Sequence, residues 1–213
     1  MRLYDYWRSS AAYRVRIALN LKGLAYEQIP IDLRAGAHRS SAYRARNPQG
    51  LVPYLENGEV GLGQSFAIME YLDERYPARP LLPRDAAARA AVRALALAIV
   101  CEIHPLNNMR VLQYLERQRG VPEPDRLAWY RHWVGQGFEP IEAVLAAHGD
   151  PFCFGDAPTL ADVCLVPQVY NARRYACDLE PYPRIRAIDE RCRRIEAFAR
   201  AAPELQPDAV PNG

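Results

Sequence analysis

The chain has 213 residues, of which 50% are hydrophobic and 24% are charged, and its formal net charge is +2. This length allows one large or two modest domains with real cores, and the composition excludes the disordered and membrane-embedded classes. Lys22 is the only lysine among the 27 basic residues, so the many arginines indicate a compositional bias, and no nucleic-acid partner is predicted.

The five cysteines do not form a pattern typical of disulfides or metal sites. They are odd in number, widely spaced and never form Cys-x-x-Cys. Cys101 and His104 could share a helix face, but no second pair stands at metal-ligand spacing, so no metal is predicted. The N-terminus lacks a leader pattern, and no apolar stretch reaches bilayer length. A cytoplasmic protein without a membrane partner is expected.

The first part of the chain mixes helix and strand signals. We predict strands at 1–6, 26–32, 51–55 and 60–62, helices at 10–22 and 65–76, and a helix-permissive segment at 38–46. Asn57-Gly58 indicates a type I′ hairpin turn, and Ser65 is the expected cap of its helix. The order β-α-β-α-β-β-α predicts a mixed α/β domain.

Strand signals end at a proline-rich linker. Prolines between Tyr76 and Pro83 cannot continue a helix, so the domain boundary is expected there. Beyond it, helices are predicted at 86–118, 124–147, 159–174 and 182–201. Thr159 and Asp162 have the spacing of a capping box at the start of an apolar helix. The predicted domains are 1–80 and 85–213, the second of them all-helical.

A strand-to-helix corner at Trp7–Arg16 is the main candidate for chemistry. Ser9 or Ser10 can cap the helix, Val15 and Leu19 form its buried stripe, and Gly23 ends it. A capped helix is one interpretation of this pattern. Unpaired N–H groups and the helix dipole also favour an anion at such an end, including a thiolate, so the corner could activate a bound thiol.

The whole chain resembles the zeta class of glutathione transferases. The resemblance rests on Asn47-Pro-Gln-Gly-Leu-Val-Pro53, on Gln64-Ser65, and on Ser9-Ser-Ala-Ala-Tyr-Arg-Val-Arg16, where the family motif is Ser-Ser-Cys-x-Trp-Arg-Val-Arg. It implies the glutathione transferase fold, an α/β N-terminal thioredoxin-like domain plus an all-α C-terminal domain, and a homodimer. Ala11 replaces the family's cysteine, so the only thiol left for the site is that of the cofactor, glutathione.

The resemblance assigns glutathione contacts in the first domain. The sequence alone favours a trans bond before Pro53, whereas the family has a cis proline whose predecessor, here Val52, offers its backbone to the cysteinyl part of glutathione. Ser65 and the amides behind it would bind the γ-glutamyl carboxylate, with Gln64 adding a polar contact; a plain N-cap is the alternative. His38 and Gln49 would be solvated loop residues without the resemblance, which places them at the glycyl end.

Polar residues in the second domain complete the candidate site. The spacing of His104, Asn108 and Arg110 puts them on neighbouring faces of one predicted helix. A polar helix surface is the alternative, but the apolar approach to this cluster favours a cleft wall, and the family has glutathione contacts there. Arg173 and Arg174 end the predicted apolar helix at 159–174, and the resemblance favours Arg174 for the cleft.

The predicted function is glutathione-dependent cis-to-trans isomerisation of a maleyl diacid, maleylacetoacetate or maleylpyruvate, in aromatic-compound breakdown. Ser9 or Ser10 would stabilise the thiolate, and Arg8 and Arg174 would bind the carboxylates of the small-molecule substrate. A general glutathione transferase that conjugates or dehalogenates electrophiles is the first alternative. A non-catalytic module of the same fold is the second, and retention of the two serines and of Gln64-Ser65 argues against it.

Overall fold

The structure is a computed structural model that describes residues 1–210. The chain divides into two compact units: unit 1 comprises Met1–Leu81 with the segment from Arg194 onward, and unit 2 comprises Leu82–Arg193. Within the described residues, no helix is both long enough and apolar enough to cross a membrane.

Unit 1 is a four-stranded mixed sheet with helices. The strands and helices are β1 (Arg2–Asp5), α1 (Ser10–Lys22), β2 (Glu27–Pro30), α2 (Ser41–Arg44), β3 (Tyr54–Asn57), β4 (Val60–Gly63), α3 (Ser65–Arg75) and, far along the chain, α9 (Glu196–Ala201). The strand order is β2-β1-β3-β4, with β2 parallel to β1 and the other pairs antiparallel. This order confirms the predicted thioredoxin-like α/β domain.

Helix α1 has a capping residue at each end. Ser9 is its N-cap, and Gly23 ends it with a left-handed φ of 68°. Val15, Ile17 and Leu19 are fully buried, because α1 packs against α3 on one side and α9 on another. The predicted bounds of this helix are confirmed, since apolar spacing, cap and glycine all indicate the same ends.

The hairpin and the third helix differ from prediction by one to three residues. Strand β3 begins at Tyr54, not Leu51, because the chain up to Pro53 is irregular. The turn residues are Gly58 and Glu59, and only Gly58 has a positive φ, so the turn is not of type I′. Ser65 is the first residue of α3 rather than its cap, and that place belongs to Gln64.

Unit 2 is helical throughout its regular structure. It contains α4 (Ala86–Leu97), a π-helical segment (Ala98–Ile103), α5 (Met109–Arg119), α6 (Glu123–His148), α7 (Leu160–Arg174) and α8 (Pro183–Arg193). Helix α7 is central, since Leu160 through Val169 are all buried and it packs against α4 and α8. The predicted capping box is confirmed: the Asp162 carboxylate accepts from the Thr159 N–H at 2.8 Å, and the Thr159 oxygen accepts from the Ala161 N–H at 3.3 Å.

Two of the predicted long helices are wrong. Residues 86–118 form α4, the π-helical segment and α5 because Pro105 has no N–H to continue a helix. Residues 182–201 form α8 and α9, separated at Arg194–Ile195. Because α9 packs on α1, the chain from Arg194 onward belongs to unit 1, and the predicted range of 85–213 for the second domain differs from the observed unit 2 in this respect.

Candidate active site

Three candidate segments meet at one edge of the sheet in unit 1. Tyr4 near the end of β1 pairs with Tyr54 at the start of β3, which in turn pairs with Gly63 at the end of β4. The chain therefore leaves β1 toward Ser9, enters β3 from Val52-Pro53 and leaves β4 toward Gln64 at the same edge. Helices α1 and α3 both begin there, so two sets of helix N-terminal amides face this edge.

Ser9 occupies the corner before α1. Its Oγ accepts a hydrogen bond from the Ala12 N–H at 3.2 Å, and its own N–H donates to the Tyr6 carbonyl at 2.9 Å. The cap uses the acceptor capacity of the hydroxyl and leaves its proton available as a donor. Ser10, the other candidate, is the first residue of α1 and is buried. Ser9 is thus the serine whose hydroxyl caps the helix.

The Val52-Pro53 bond is cis, which confirms the configuration that the resemblance implies. Within residues 1–210, neither the N–H nor the C=O of Val52 takes part in a hydrogen bond. The preceding Leu51 is held firmly, since its carbonyl accepts from the Tyr43 hydroxyl at 2.6 Å and the Asn47 amide at 2.8 Å. Val52 therefore offers an unused donor and acceptor, as pairing with an extended peptide ligand requires.

Gln64 has a backbone conformation that is rare for a residue with a side chain. Its φ is 66° and its ψ is 111°, immediately before α3. Its side-chain amide donates to the Gln49 Oε1 at 2.8 Å, so two of the predicted glutathione residues lie in contact. Strained positions of this kind persist where the surroundings determine them, and they cluster at ligand sites.

A buried arginine lies beside Ser65. Arg14 is 1% exposed, and its Nη1 donates to the Ser65 Oγ at 3.4 Å. Its cationic charge adds to the positive end of the α3 dipole, so the beginning of α3 favours a carboxylate more strongly than a helix start alone. The arrangement therefore suits a bound carboxylate group.

His38 is buried next to the loop that carries Gln49. Its Nε2 accepts from the Arg39 Nε at 3.2 Å, while its Nδ1 has no hydrogen-bond partner among the described residues. Burial, with contributions from Arg39 and Arg44, lowers the pKa of His38, so the neutral imidazole is favoured. A Cβ at Gly50 would lie 2.9 Å from the His38 carbonyl, which shows how closely these two segments pack.

The polar residues of unit 2 are arranged differently from the prediction. His104 follows the π-helical segment and Asn108 is the N-cap of α5, so these residues and Arg110 do not share one helix. Asn108 and His104 are nevertheless in contact, with their side-chain nitrogens 3.3 Å apart. The Asn108 Oδ1 accepts from the Arg110 N–H at 3.1 Å, and the Arg110 side chain is exposed.

The neighbouring arginines at the end of α7 have different partners. The Arg173 guanidinium forms an ion pair at 2.6 Å with Asp189, which is fully buried. Arg174 lies over the Tyr175 ring at 5.1 Å, and that ring stacks on Tyr130 at a centroid distance of 3.7 Å. Both arginines are exposed, but Arg173 is paired with a buried carboxylate, whereas Arg174 lies against an aromatic ring.

Arg8 stands between the aromatic end of β1 and the serine pair. Its guanidinium lies 4.5 Å from the centre of the Trp7 ring, and the Trp7 side chain is buried. Cation–π stacking holds the planar head of Arg8 next to the corner.

Comparison with known proteins decides the family. Glutathione S-transferase N-terminal and C-terminal domains match residues 1–74 and 128–198. A probable maleylacetoacetate isomerase of Vibrio cholerae is 51% identical over 209 residues, 97% of each chain. A holo maleylpyruvate isomerase, described as a bacterial zeta-class glutathione S-transferase, has a TM-score of 0.97 at 50% identity, covering 99% of this chain and 100% of that one.

The chain belongs to the zeta class of the glutathione S-transferases. Another similar structure, at 41% identity and TM-score 0.95 over 99% of this chain and 100% of the other, is a maleylacetoacetate isomerase of Methylobacterium extorquens with malonate and glutathione bound. In this glutathione transferase, Ala11 lies in the first turn of α1, where the family motif has cysteine. The described residues contain no group of three or more potential metal ligands.

The sequence prediction missed two arginines of this glutathione transferase. Arg14 and Arg16 belong to the motif that carries the family resemblance, yet the sequence analysis predicts a contact for neither. Both are almost completely buried, at 1% and 0% exposure. The available signal was their place among the apolar residues in the middle of α1, because arginines that interrupt a buried stripe need partners.

Proposed function

We propose that this zeta-class transferase is a glutathione-dependent cis–trans isomerase of a maleyl diacid, maleylacetoacetate or maleylpyruvate. The observation that carries the proposal is the sheet edge where the Ser9 corner, the unused backbone groups of Val52 and the start of α3 come together. The nearly full-length similarity to isomerases of these two substrates supports the same reaction.

Glutathione, when bound, supplies the thiol that adds reversibly to the cis double bond and so allows rotation about it. The residues of the chain hold it by three chemically distinct contacts. Val52 pairs through its backbone, Ser65 and Arg14 hold a carboxylate at the start of α3, and Gln49 with Gln64 provides amide groups. We assign His38 to the glycyl end, and His104, Asn108 and Arg110 to further polar contacts.

Ser9 lowers the free energy of the thiolate by donating its hydroxyl proton in a charge-assisted hydrogen bond, aided by the first amides of α1. Arg8 and Arg174 bind the two carboxylates of the diacid, because a planar guanidinium matches a carboxylate bidentately. Without nearby cations, a dianion close to a thiolate would suffer strong repulsion.

A substrate panel tests the proposal. Purified protein with glutathione should convert maleylacetoacetate or maleylpyruvate to the fumaryl product, with glutathione recovered unchanged. A general conjugating transferase would instead consume glutathione with alkyl or aryl halides and show no preference for diacids. If immobilised glutathione does not retain the protein, both enzymatic functions are refuted and a non-catalytic module is favoured.

We also propose that the protein is a homodimer and acts in the cytoplasm. All five cysteines are free in the structure, which suits a reducing compartment. Light scattering coupled to size exclusion would measure the mass in solution, and a mass near that of one chain would contradict the dimer.

A further inference from the structure

A buried arginine connects three parts of unit 1. Arg16 and Asp5 form an ion pair at 2.9 Å in which both side chains are 0% exposed. The remaining Arg16 nitrogens donate to the Trp7 carbonyl at 2.8 Å and to the Ala201 carbonyl at 3.1 Å. One guanidinium thus holds the end of β1, the corner and the end of α9 together.

The C-terminal segment binds Trp7 from the other side. The Trp7 N–H donates to the Asp208 carboxylate at 3.0 Å. Trp7 is therefore fixed at its N–H by Asp208 and at its C=O by Arg16, so the peptide planes on both sides of it have defined orientations. The next residues are Arg8 and Ser9, and the Ser9 N–H closes the turn on the Tyr6 carbonyl.

The segment that carries Asp208 is itself well anchored. The Gln206 side chain is 8% exposed, and its amide donates to the Arg200 and Ala202 carbonyls at 3.0 and 2.7 Å. Its Oε1 accepts from Gln28, which also donates to both oxygens of Asp5. Removing the Asp208 carboxylate therefore leaves the segment attached and changes chiefly the contact with Trp7.

We propose that Asp208 is a positioning residue for the catalytic corner: by accepting the Trp7 N–H opposite Arg16, it sets the direction of Arg8 and the Ser9 hydroxyl. The role rests on the proposed function only in that the corner acts on the glutathione thiol. It makes a residue about two hundred positions from Trp7 part of the site's geometry, and it gives a reason for the C-terminal segment to fold with unit 1.

The experiment compares Asp208→Ala with Asp208→Asn. Alanine removes the acceptor, whereas asparagine keeps an oxygen that can accept the Trp7 N–H but removes the charge. Hydrogen exchange of the Trp7 amide should rise about tenfold or more in Asp208→Ala, the effect of losing one hydrogen bond to a charged group, and clearly less in Asp208→Asn, which keeps a neutral acceptor. This readout needs neither glutathione nor activity.

The second readout is thiolate absorbance of bound glutathione against pH, with kcat for the diacid. Asp208→Ala should raise the bound thiol pKa and lower kcat about three- to tenfold with KM little changed, and Asp208→Asn should restore both. The control is Asp150→Ala in unit 2, which also loses one backbone N–H contact, to Gly155 at 2.8 Å, and should change neither.

The outcomes separate this proposal from the proposed function. If wild type does not isomerise diacids but Trp7 exchange still depends on the acceptor at position 208, the function fails and the positioning contact stands. If Asp208→Ala lowers only the melting temperature, with Trp7 exchange and the thiol titration unchanged, the residue is merely structural and the proposal is wrong. Equal effects of alanine and asparagine would assign the role to charge and also overturn it.

Discussion

The candidate residues of the two units are held in place by different means. In unit 1, Ser9, Val52 and Gln64 are defined by the backbone: a helix cap, a cis peptide and a left-handed φ. In unit 2, His104 and Arg174 are defined by side-chain neighbours at the ends of helices, an amide 3.3 Å away and an aromatic ring.

This difference indicates a division of labour. A backbone-defined site binds the invariant features of a peptide such as glutathione, and almost any side chain serves at Val52. A site made by side chains changes with single substitutions, so it suits the choice of substrate. We therefore expect substitutions at the backbone-defined positions of unit 1 to affect stability or the thiol, and substitutions of the two carboxylate-binding arginines, Arg8 and Arg174, to affect the diacid selectively.

Breaking the buried Arg16 network of unit 1 should have the largest effect. Arg16→Met leaves the Asp5 carboxylate buried without its cation, which costs about 3–5 kcal/mol of unfolding free energy in comparable pairs. Arg2→Met is the matched control in the same sheet, because the Arg2–Glu27 pair is exposed and its loss should hardly move the urea midpoint. Equal midpoints for the two variants would contradict the role of the network.

Selective loss of diacid turnover would sharpen the comparison most directly. Arg174→Met and Arg8→Met should each lower kcat/KM for the diacid about ten- to a hundredfold, because a hydrogen bond to a charged group contributes roughly 1.5–3 kcal/mol. Glutathione affinity should change much less. Steady-state kinetics with both ligands varied provide the measurement.

Arg173 is the matched control for Arg174. Because Arg173 pairs with buried Asp189, Arg173→Met should lower the unfolding midpoint, while turnover per folded molecule stays near wild type. If Arg173→Met and Arg174→Met impair diacid turnover equally, the assignment of Arg174 to the substrate is wrong.

The pKa of the bound glutathione thiol tests the role of Ser9 in unit 1. Ser9→Ala removes a hydroxyl donor to the thiolate, so the bound thiol pKa should rise and the rate near neutral pH should fall about tenfold or more. Loss of the cap should also cost about 1 kcal/mol of stability. Titration of thiolate absorbance measures the first effect, with Ser10→Ala in parallel; unchanged curves for both variants would exclude a serine donor.

Two glycines of α6 test the packing of Ile103, the residue that precedes His104 in unit 2. A Cβ at Gly137 would overlap the Ile103 side chain, whereas one at Gly135 would meet only the Tyr182 hydroxyl at 3.6 Å, an ordinary contact. Gly137→Ala should destabilise the protein by about 1–3 kcal/mol through overpacking, and Gly135→Ala should be neutral or slightly stabilising. A loss for Gly137→Ala that Ile103→Ala does not reduce would refute this contact.

Local signals account for the parts of the fold and site that could be predicted. Ser9, Gly23 and the Thr159–Asp162 box act within a few residues of themselves, so their elements could be recognised in the sequence. The cis bond before Pro53 came from the family resemblance, because most X-Pro bonds are trans.

The features that the sequence does not predict depend on residues that are distant along the chain. Arg16 is stabilised by Ala201, 185 residues away, and the left-handed φ of Gln64 has no sequence signal because glycine normally supplies it. Likewise, the helical pattern of residues 182–201 does not reveal that the partner of α9 is α1, so the sequence places α9 in the second domain.

Alkylation of the protein's own thiols should have the smallest effect and tests whether the thiol chemistry needs only unit 1. All five cysteines lie in unit 2, three of them buried, and Ala11 occupies the motif position of the family's cysteine. Burial raises the pKa of Cys177 to about 11 and raises those of Cys153 and Cys192, so at neutral pH these groups are unreactive thiols. Treatment with iodoacetamide at pH 7, removal of reagent and addition of fresh glutathione should therefore restore nearly full turnover, with mass spectrometry reporting modification chiefly at exposed Cys101. Complete inactivation with an intact fold would mean that a unit 2 thiol takes part in the reaction, and the division between the two units would then fail at its chemical step.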